Sequence, residues 1–472
     1  MVVALCGLGL LISNSFPTKN MKLNHITLDN FRAISKLALP LNPQLTVLVG
    51  NNAAGKTTIL DGIAVGLGAV LARLPHQSHK DFCLNDIRQA LVTHLDNPTL
   101  TERSIAPYAR VSLETMDGII WDRTQKRDQT EPTQKAIPPA KNVNELHAFL
   151  DPIINDVQNG NIKTKLPVIA YYGTDRAVFP SVQEQLHTNF LQEFNRFAAL
   201  EGSLEAITHF RTVFEWFTAQ ENQELREIKK RQDWDYQLPV LKAIRQSICQ
   251  MLPGCSNPRT DTKPSQFLVD FEYEKGKKEQ IALSQLSDGY RTTLALVMDL
   301  ARRMAQANPP YQENDNPLKS EAIILIDEVD LHLHPKWQQH ILVNLMETFP
   351  NAQFIVTTHS APVLTTIKPE HIISLEREDD VIAEQPTSSY GAESGRLLSE
   401  IMDVNERPPA DVNEFTRLLE QYYELIERNE GETETALKLR SRLNELSGDD
   451  PDLITADMEN ERRRVLYGTP KI

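Results

Sequence analysis

The stretch Gly50–Thr57 reads G-N-N-A-A-G-K-T, and the order of elements around it decides the fold. An apolar run at residues 45–49 precedes it, and a helical pattern follows from Thr58. A strand, a glycine-containing loop and a helix in this order form a phosphate-binding P-loop. Gly50 and Gly55 let the backbone turn so that its N–H groups point inward at phosphate oxygens. The helix that follows aims its positive N-terminal end at the same anion.

The P-loop predicts a site for ATP and Mg²⁺. Lys56 is long enough to reach the β- and γ-phosphates, and the Thr57 hydroxyl can bind the metal. The residues of this stretch that we expect to contact the nucleotide are Gly50, Asn51, Asn52, Ala53, Ala54, Gly55, Lys56, Thr57 and Thr58.

Two later apolar runs end in polar residues suited to phosphate chemistry. Residues 322–326 are aliphatic and are followed by Asp327 and Glu328, which predicts a central parallel strand with two carboxylates at its end. We expect Asp327 to hold Mg²⁺ and Glu328 to polarise the attacking water. His359 follows a second core strand and is expected to reach the γ-phosphate, although a strand-end histidine taken alone is more often structural.

Composition sets broader limits on the protein. The chain has 472 residues, enough for two or three domains. Its net charge is −15, but residues 376–472 hold 24 acidic against 12 basic side chains, so the rest is close to neutral. The acidic total is therefore a weak argument against nucleic-acid contact by the core. The four cysteines form no C-x-x-C pair, which argues against a zinc site and favours the reducing cytosol.

The N-terminal segment differs from the rest of the chain. Residues 2–12 form an apolar run about as long as a signal-peptide core, without a basic flank or a convincing cleavage pattern. The run is too short to span a bilayer. Met21 opens an alternating strand pattern. We therefore expect residues 1–20 to be an upstream extension without structural role, and we expect no membrane partner.

The remaining segments predict a mixture of strands and helices. Residues 108–113 and 118–123 read as a hairpin, and residues 124–142 as an exposed loop. Residues 183–250 show an amphipathic helical pattern, and residues 377–472 are expected to be mostly helical, with apolar positions at Leu418, Leu419, Tyr422, Tyr423 and Ile426.

A basic cluster lies within the first helical region, next to Trp234 and Tyr236. Its members are Arg226, Lys229, Lys230 and Arg231. We favour a solvated helix face over nucleic-acid contact for this cluster.

A second functional block precedes the carboxylate strand. Leu286-Ser287-Asp288-Gly289 stands before a helical pattern that runs to about Ala307. The order of P-loop, Leu-Ser-x-Gly, aliphatic residues with Asp-Glu, and His resembles the ABC-type ATPases. In that family the Ser and Gly of the signature bind the γ-phosphate held by the other subunit. The resemblance covers roughly residues 21–376 and implies two composite sites in a head-to-tail dimer. It adds Ser287, Asp288, Gly289 and Asp330 to the expected nucleotide contacts.

The string Ile326–Pro335 is similar to that of RecF-like and overcoming-lysogeny-like ATPases. Tyr171–Arg176, Ser389–Glu393 and Arg407-Pro408-Pro409 resemble the PtuA family, the ATPase subunits of Septu-type anti-phage systems. Related ATPases occur with some retrons, and the partner in such systems resembles an HNH nuclease. The chain departs from the transporter signature, because Asp288 and Tyr290 replace its Gly and Gln. No clear Q-loop glutamine is present, and Tyr172–Arg176 occupies its place.

The resemblance implies an α/β, ABC-type P-loop ATPase with a mixed central sheet, an antiparallel β subdomain, a helical insertion and a helical C-terminal tail. We expect an ATPase domain at 21–376 with the insertion at about 181–265, and an acidic helical region at 377–472 for assembly or partner binding. The expected function is an ATP-hydrolysing defence subunit that forms ATP-sandwich homodimers or higher oligomers and regulates an HNH-type nuclease. DNA or a retron nucleoprotein is a further possible partner.

Three other functions share parts of this sequence pattern. One is a RecF-like repair or recombination ATPase, and another is a scaffold that binds ATP without hydrolysing it. The third is a nuclease with its own Toprim domain, which would need an Asp-x-Asp at the end of an apolar strand. Asp450-Pro451-Asp452 lies instead in a polar stretch, and fewer than 100 residues remain after the ATPase pattern. We therefore reject the Toprim interpretation.

Overall fold

A computed structural model describes the chain in ten segments and divides it into two compact units. The described residues are 20–94, 97–141, 143–177, 195–206, 210–262, 265–274, 276–312, 315–378, 380–405 and 407–467. The expected N-terminal extension lies outside them, except for Asn20. The boundary between the units falls between Ala392 and Glu393, and each unit is described by itself.

The first unit contains both strands and helices, and the described residues of the second unit form helices without strands. The strands are β1 (Leu23–Phe31), β2 (Ile34–Pro40), β3 (Leu45–Gly50), β4 (Gln89–His94), β5 (Asn97–Ile105), β6 (Tyr108–Thr115), β7 (Ile120–Lys126), β8 (Val168–Tyr172), β9 (Cys255–Thr262), β10 (Ser265–Glu274), β11 (Lys277–Ala282), β12 (Ala322–Ile326), β13 (Ala352–Thr357), β14 (Ile372–Arg377) and β15 (Val381–Glu384). The helices are α1 (Lys56–Arg73), α2 (Glu131–Ala136), α3 (Asn144–Gln158), α4 (Phe210–Arg231), α5 (Pro239–Met251), α6 (Asp288–Ala307), α7 (Pro335–Thr348), α8 (Ala361–Leu364), α9 (Ser394–Met402), α10 (Glu414–Glu427), α11 (Glu434–Ser447) and α12 (Pro451–Tyr467).

The central sheet brings the predicted site segments to one edge. Its strand order is β15-β14-β3-β13-β12-β8. The strands from β14 to β8 are parallel to their neighbours, and only β15 is antiparallel. Strands β8, β12 and β13 are buried along their whole length, as their continuous apolar sequences predict. Because the carboxyl ends of parallel strands share one edge, the P-loop, Asp327 and Thr357 meet there.

Antiparallel sheets flank this central layer. One has the order β2-β1-β6-β7, another the order β11-β10-β9, and β4 pairs with β5. The predicted hairpin is confirmed as β6 and β7, with Leu113 opposite Trp121. Helix α1 lies close to the first of these sheets, since a Cβ at Gly62 would stand 2.7 Å from the Leu28 side chain. The mixed central sheet, the antiparallel sheets and the helices confirm the fold class that the sequence indicates.

Helix α6 carries a buried charged cluster on its path away from the signature block. Asp299, Arg302 and Arg303 are almost fully buried. The Asp299 carboxylate accepts hydrogen bonds from Arg303 Nε at 2.7 Å and from the Tyr172 hydroxyl at 2.9 Å. Burial opposes ionisation of Asp299, but the charges of Arg303 and Arg302 outweigh it and hold its pKa below the usual range. The cluster therefore ties α6 to the end of β8.

The second unit is helical and has its own small core. Its buried residues are Leu419, Tyr422, Ile426, Ala436, Leu443, Leu453 and Ala456. Of the predicted apolar positions, Leu418 and Tyr423 pack partly buried against this core. The stripe on α10 therefore packs against helices of its own unit.

Two segments differ from the sequence-based expectation. Residues 124–142 were expected to be an exposed loop, but they contain α2, whose first turn carries a proline and an acidic residue that suit a helix start. Residues 377–472 were expected to be mostly helical, and helices α9 to α12 occupy most of the described part, but the sequence did not predict β15, which extends the central sheet by pairing Val381 with Arg377. A strand of only four residues is too short to leave a periodic signal.

The helices of the described segments were also compared with the requirements for crossing a bilayer. None of them combines the necessary length with sufficient apolar character.

Candidate nucleotide-binding site

The P-loop has the backbone conformation that an anion-binding loop needs. Gly50 and Gly55 have φ angles of 141° and 100°, and Ala53 also has a positive φ, 66°. A Cβ at Gly50 would lie 2.2 Å from the Leu375 carbonyl oxygen, so no side chain fits there. Helix α1 begins directly after the loop, at Lys56. The backbone turn that the glycines predict is therefore present.

Lys56 lies folded against the loop that it follows. Its ammonium group donates to the carbonyl oxygens of Gly50 at 2.8 Å and Asn51 at 2.9 Å. The residue is buried, and burial lowers the pKa of its ammonium group, while the charges of Asp327 and Glu328 offset part of that shift. Lys56 is thus placed at the loop with its charge close to the carboxylates of β12.

The two predicted metal ligands are in direct contact. The Thr57 hydroxyl donates to Asp327 Oδ2 at 2.9 Å. The other carboxylate oxygen, Oδ1, accepts from the Thr357 hydroxyl at 2.6 Å. A hydroxyl and a carboxylate are the hard oxygen ligands that Mg²⁺ prefers, and they lie close enough here to share one ion. The residues present therefore fit magnesium.

Glu328 combines a fixed backbone with a free carboxylate. Its φ is 48°, which is uncommon for a residue other than glycine. Its N–H donates to the Thr357 hydroxyl at 2.7 Å. Among the described residues, none forms a hydrogen bond with the Glu328 carboxylate, which is half-buried. A carboxylate in this condition can accept a bond from water.

The segment expected to replace the Q-loop lies beside these carboxylates. Strand β8 runs parallel to β12, with Tyr172 opposite Ile326. Arg176 follows in a short 3-10 turn and is buried. Its guanidinium donates to the carbonyl oxygens of Asp327 and Glu328, each at 2.5 Å. Burial lowers the pKa of Arg176 to about 10, against the opposing effect of Asp327, Asp330 and Glu328.

The signature block starts helix α6 and contacts the loop after β12. Ser287 is the N-cap residue, and Asp288 pairs with Arg291; Ser287 and Asp288 are both exposed. Gly289 is buried, and a Cβ there would lie 2.5 Å from the His332 carbonyl oxygen. Within the described segments, no hydrogen bond joins Ser287 to a P-loop residue of its own chain. The exposed N-terminus of α6 is thus accessible to a ligand from outside the chain.

Two further predicted residues lie at the end of β13 or face it. Asp330 Oδ1 accepts from the Thr358 hydroxyl at 2.5 Å, so part of its bonding capacity is used within the chain. His359 is exposed and lies directly after Thr358. The structure therefore places His359 at the correct edge of the sheet and leaves its ring accessible.

Sequence reasoning missed Thr357 and did not assign Arg176 a definite role. Thr357 is fully buried and connects Asp327 to Glu328 through one hydroxyl. The only signal in the sequence was a pair of threonines before His359. Asn51, Asn52 and Ala53 are exposed in the loop, and Ala54 is buried, so these predicted contacts differ in accessibility.

Two family models match overlapping parts of the chain. Residues 25–252 match a family described as "AAA domain". Residues 178–366 match a family described as "AAA domain, putative AbiEii toxin, Type IV TA system". The two matches together include the P-loop, the signature block, Asp327, Glu328 and His359.

The chain is also similar to several curated proteins. The chain is 29% identical to "Retron Ec83 probable ATPase" of Escherichia coli, over 94% of this chain and 87% of that protein. It is 26% identical to "Retron Vc95 probable ATPase" of Vibrio cholerae serotype O1 biovar El Tor, over 89% of this chain and 86% of that protein. It is 33% identical to "Septu protein PtuA" of Bacillus mycoides (strain KBAB4), over 34% of this chain and 22% of that protein.

Among solved structures, similarity extends to SMC heads. An SMC head bound to the C-winged helix domain of ScpA is 15% identical, with a TM-score of 0.41 over 77% of this chain and 98% of that one. The SMC head domain from Thermotoga maritima is 13% identical, with a TM-score of 0.37 over 78% of this chain and 100% of that one. Parts of the chain thus match models of AAA domains, and the chain is similar over most of its length to two proteins named as probable retron ATPases and over 34% of its length to Septu protein PtuA.

Proposed function

We propose that this chain is the ATP-binding and ATP-hydrolysing subunit of an anti-phage defence complex. The observation that supports this best is the contact of Thr57 with Asp327, next to a Glu328 carboxylate without a hydrogen-bond partner among the described residues. A metal position and a water-orienting group are needed side by side for hydrolysis of a phosphoanhydride. The relatives named for retrons and for Septu support a defence role.

The proposed reaction is in-line attack of water on the γ-phosphorus: a new P–O bond forms while the bond to the β–γ bridging oxygen breaks, which releases ADP and inorganic phosphate. Lys56 leaves the Gly50 and Asn51 carbonyl oxygens and binds the β- and γ-phosphates, where its charge stabilises the transition state. Thr57 and Asp327 hold Mg²⁺, which when bound neutralises charge on the phosphate oxygens. Glu328 orients the water and accepts its proton, and His359 donates a hydrogen bond to the γ-phosphate.

We further propose that ATP is shared between two copies of the chain. The N-terminus of α6 presents Ser287 at an exposed position, and within the described residues the backbone N–H groups of Asp288 and Gly289 have no hydrogen-bond partner, which makes it a ready anion site. The γ-phosphate held by one chain would bind Ser287 of the other, so that a homodimer contains two ATP molecules. Such a dimer, or a higher oligomer, would regulate a separate HNH-type nuclease and could contact DNA or a retron nucleoprotein.

Two other functions remain as alternatives to test. A scaffold would use the same contacts to bind ATP between subunits but would leave it intact. A RecF-like repair ATPase would hydrolyse ATP and respond to DNA without a nuclease partner. Measured ATP hydrolysis would exclude the scaffold. Co-purification with a nuclease would distinguish the defence subunit from the RecF-like repair ATPase.

The test compares three variants by nucleotide binding and phosphate release. Glu328→Gln should keep ATP bound and slow hydrolysis by roughly 10²–10⁴-fold, the scale expected when general-base help is lost. Asp327→Asn should instead weaken the Mg²⁺-dependent part of binding. Lys56→Ala is the control that should lose ATP binding itself. An unchanged hydrolysis rate in Glu328→Gln would overturn the assigned mechanism.

A further inference from the structure

Arg176 is a buried cation that donates to peptide carbonyls. Only 3% of the residue is exposed. Its guanidinium donates to the Gly173 carbonyl oxygen at 2.9 Å and to those of Asp327 and Glu328, each at 2.5 Å. Within the described residues, no salt bridge joins Arg176 to a carboxylate. Burying a guanidinium in this way is costly, so the arrangement calls for an explanation beyond packing.

Two of the three carbonyls that Arg176 holds belong to Asp327 and Glu328, the residues to which the chemistry is assigned. Glu328 has a φ of 48°, a conformation that a glutamate rarely adopts without support from its surroundings. Its N–H donates to Thr357, and its carbonyl oxygen accepts from Arg176. The backbone is thus held on both sides of the Cα atom, which fixes the direction of the Cα–Cβ bond. The carboxylate at the end of that side chain has no hydrogen-bond partner among the described residues.

Arg176 is itself held by the neighbouring strand. It follows β8, which pairs with β12 in parallel register up to Tyr172 and Ile326. The Gly173 N–H donates to the Ala206 carbonyl oxygen at 2.8 Å, so the start of the turn is fixed as well. A planar guanidinium can reach three carbonyl oxygens in one plane, whereas an ammonium group cannot reproduce that fork. The arrangement therefore requires arginine in particular.

We propose that Arg176 is a positioning residue for hydrolysis, which holds the Asp327–Glu328 backbone so that the Glu328 carboxylate faces the attacking water. The inference rests on the proposed role of Glu328. Arg176 lies in the segment that occupies the position of the Q-loop. It acts on the backbone of Asp327 and Glu328 and makes no contact with the reacting atoms. ATP binding, which depends on the P-loop, does not require it.

The test uses Arg176→Met, which keeps most of the side-chain volume and removes all three hydrogen bonds. The expected result is a loss of about 10- to 100-fold in kcat, the usual scale for removing a group that orients a catalytic one. ATP affinity should stay unchanged. If Arg176→Met does not fold, Arg176→Lys retains the charge, loses the fork, and is measured in the same way.

Arg196 offers a matched control. It also donates to three backbone carbonyls, those of Ala307, Asn161 and Thr164. Within the described residues, none of its hydrogen bonds goes to Asp327 or Glu328. Arg196→Met should lower the melting temperature without lowering kcat. If Arg196→Met reduces kcat as much as Arg176→Met does, general loosening explains the effect and the proposal is overturned.

The decisive readout is a double-mutant cycle with Glu328→Gln, followed by single-turnover hydrolysis. If Arg176 acts through Glu328, adding Arg176→Met to Glu328→Gln should cause no further loss. If the two losses multiply while Glu328→Gln alone is slow, only the role of Arg176 is overturned. If Glu328→Gln alone hydrolyses ATP at the wild-type rate, the proposed function fails, and the role of Arg176 fails with it.

Discussion

The substitution Thr357→Val tests whether the Thr357 hydroxyl holds Asp327 and Glu328 in place at the end of β12. The Thr357 hydroxyl donates to Asp327 Oδ1 at 2.6 Å and accepts from the Glu328 N–H at 2.7 Å. Valine has nearly the same shape but can form neither bond. The substitution therefore leaves Asp327 Oδ1 and the Glu328 N–H without this partner. Position 357 is fully buried.

The size of the effect follows from these two contacts. A hydrogen bond to a charged group contributes about 1.5–3 kcal/mol, and a buried donor left unpaired costs about 1–3 kcal/mol. We expect the free energy of unfolding to fall by about 2.5–6 kcal/mol, the sum of these two contributions. Asp327 would also lose one of the two groups that orient it, and such losses typically weaken metal affinity about 10- to 100-fold. The Mg²⁺ concentration needed for ATP binding should rise by a similar factor.

The assay pairs urea denaturation with titration of Mg²⁺ at fixed ATP. Thr348→Val is the matched control, because Thr348 is buried and its hydroxyl has no hydrogen-bond partner among the described residues. That variant should be neutral or slightly stabilising and should bind Mg²⁺ normally. If Thr357→Val and Thr348→Val behave alike in both measurements, the Thr357 hydroxyl does not organise the site.

Three further predictions follow from other parts of the chain. Gly289→Ala places a Cβ 2.5 Å from the His332 carbonyl oxygen. It should therefore lower the free energy of unfolding by about 1–3 kcal/mol and abolish ATP-dependent assembly. The control Gly395→Ala, whose Cβ meets nothing within 4 Å, should do neither. The pKa of Asp299 is lowered in the fold, so its contribution to stability is complete above about pH 4 and is lost as the pH falls below that value. Asp299→Asn should lower the free energy of unfolding by about 3–5 kcal/mol at pH 7 and make it less dependent on pH in acid, as measured by urea titrations. A chain ending at Ala392 should bind ATP normally but form smaller assemblies or lose its nuclease, and an unchanged, nuclease-binding oligomer would refute a role for the C-terminal unit in assembly.

Much of the site could be predicted because its residues are local in sequence or follow strong strands. The P-loop conformation depends on Gly50 and Gly55, which are visible in the sequence, and the contact of Thr57 with Asp327 follows from parallel strand ends. Helix α10 of the second unit could be predicted from the spacing of Leu419, Tyr422 and Ile426.

Other features depend on contacts between residues that are far apart in sequence. Thr357 forms hydrogen bonds with Asp327 and Glu328, which lie 30 and 29 residues earlier in the sequence. Arg176 donates to Glu328, which lies 152 residues later. Nothing in the local pattern of either residue distinguishes it from an ordinary strand-end threonine or a surface arginine. Strand β15 was missed because four residues give no periodicity, and its place depends on pairing with β14.

Measuring the molecular mass with and without Mg·ATP tests whether two copies of the chain share each ATP. Glu328→Gln should form an ATP-dependent dimer or higher oligomer, because each γ-phosphate stays bound between Lys56 of one copy and Ser287 of the other. In Glu328→Gln/Ser287→Arg, the arginine side chain should fill the exposed anion site at the start of α6, and the ATP-dependent increase in mass should disappear while ATP remains bound. If the double variant assembles with ATP as well as the single variant does, the composite site is the wrong account of this protein.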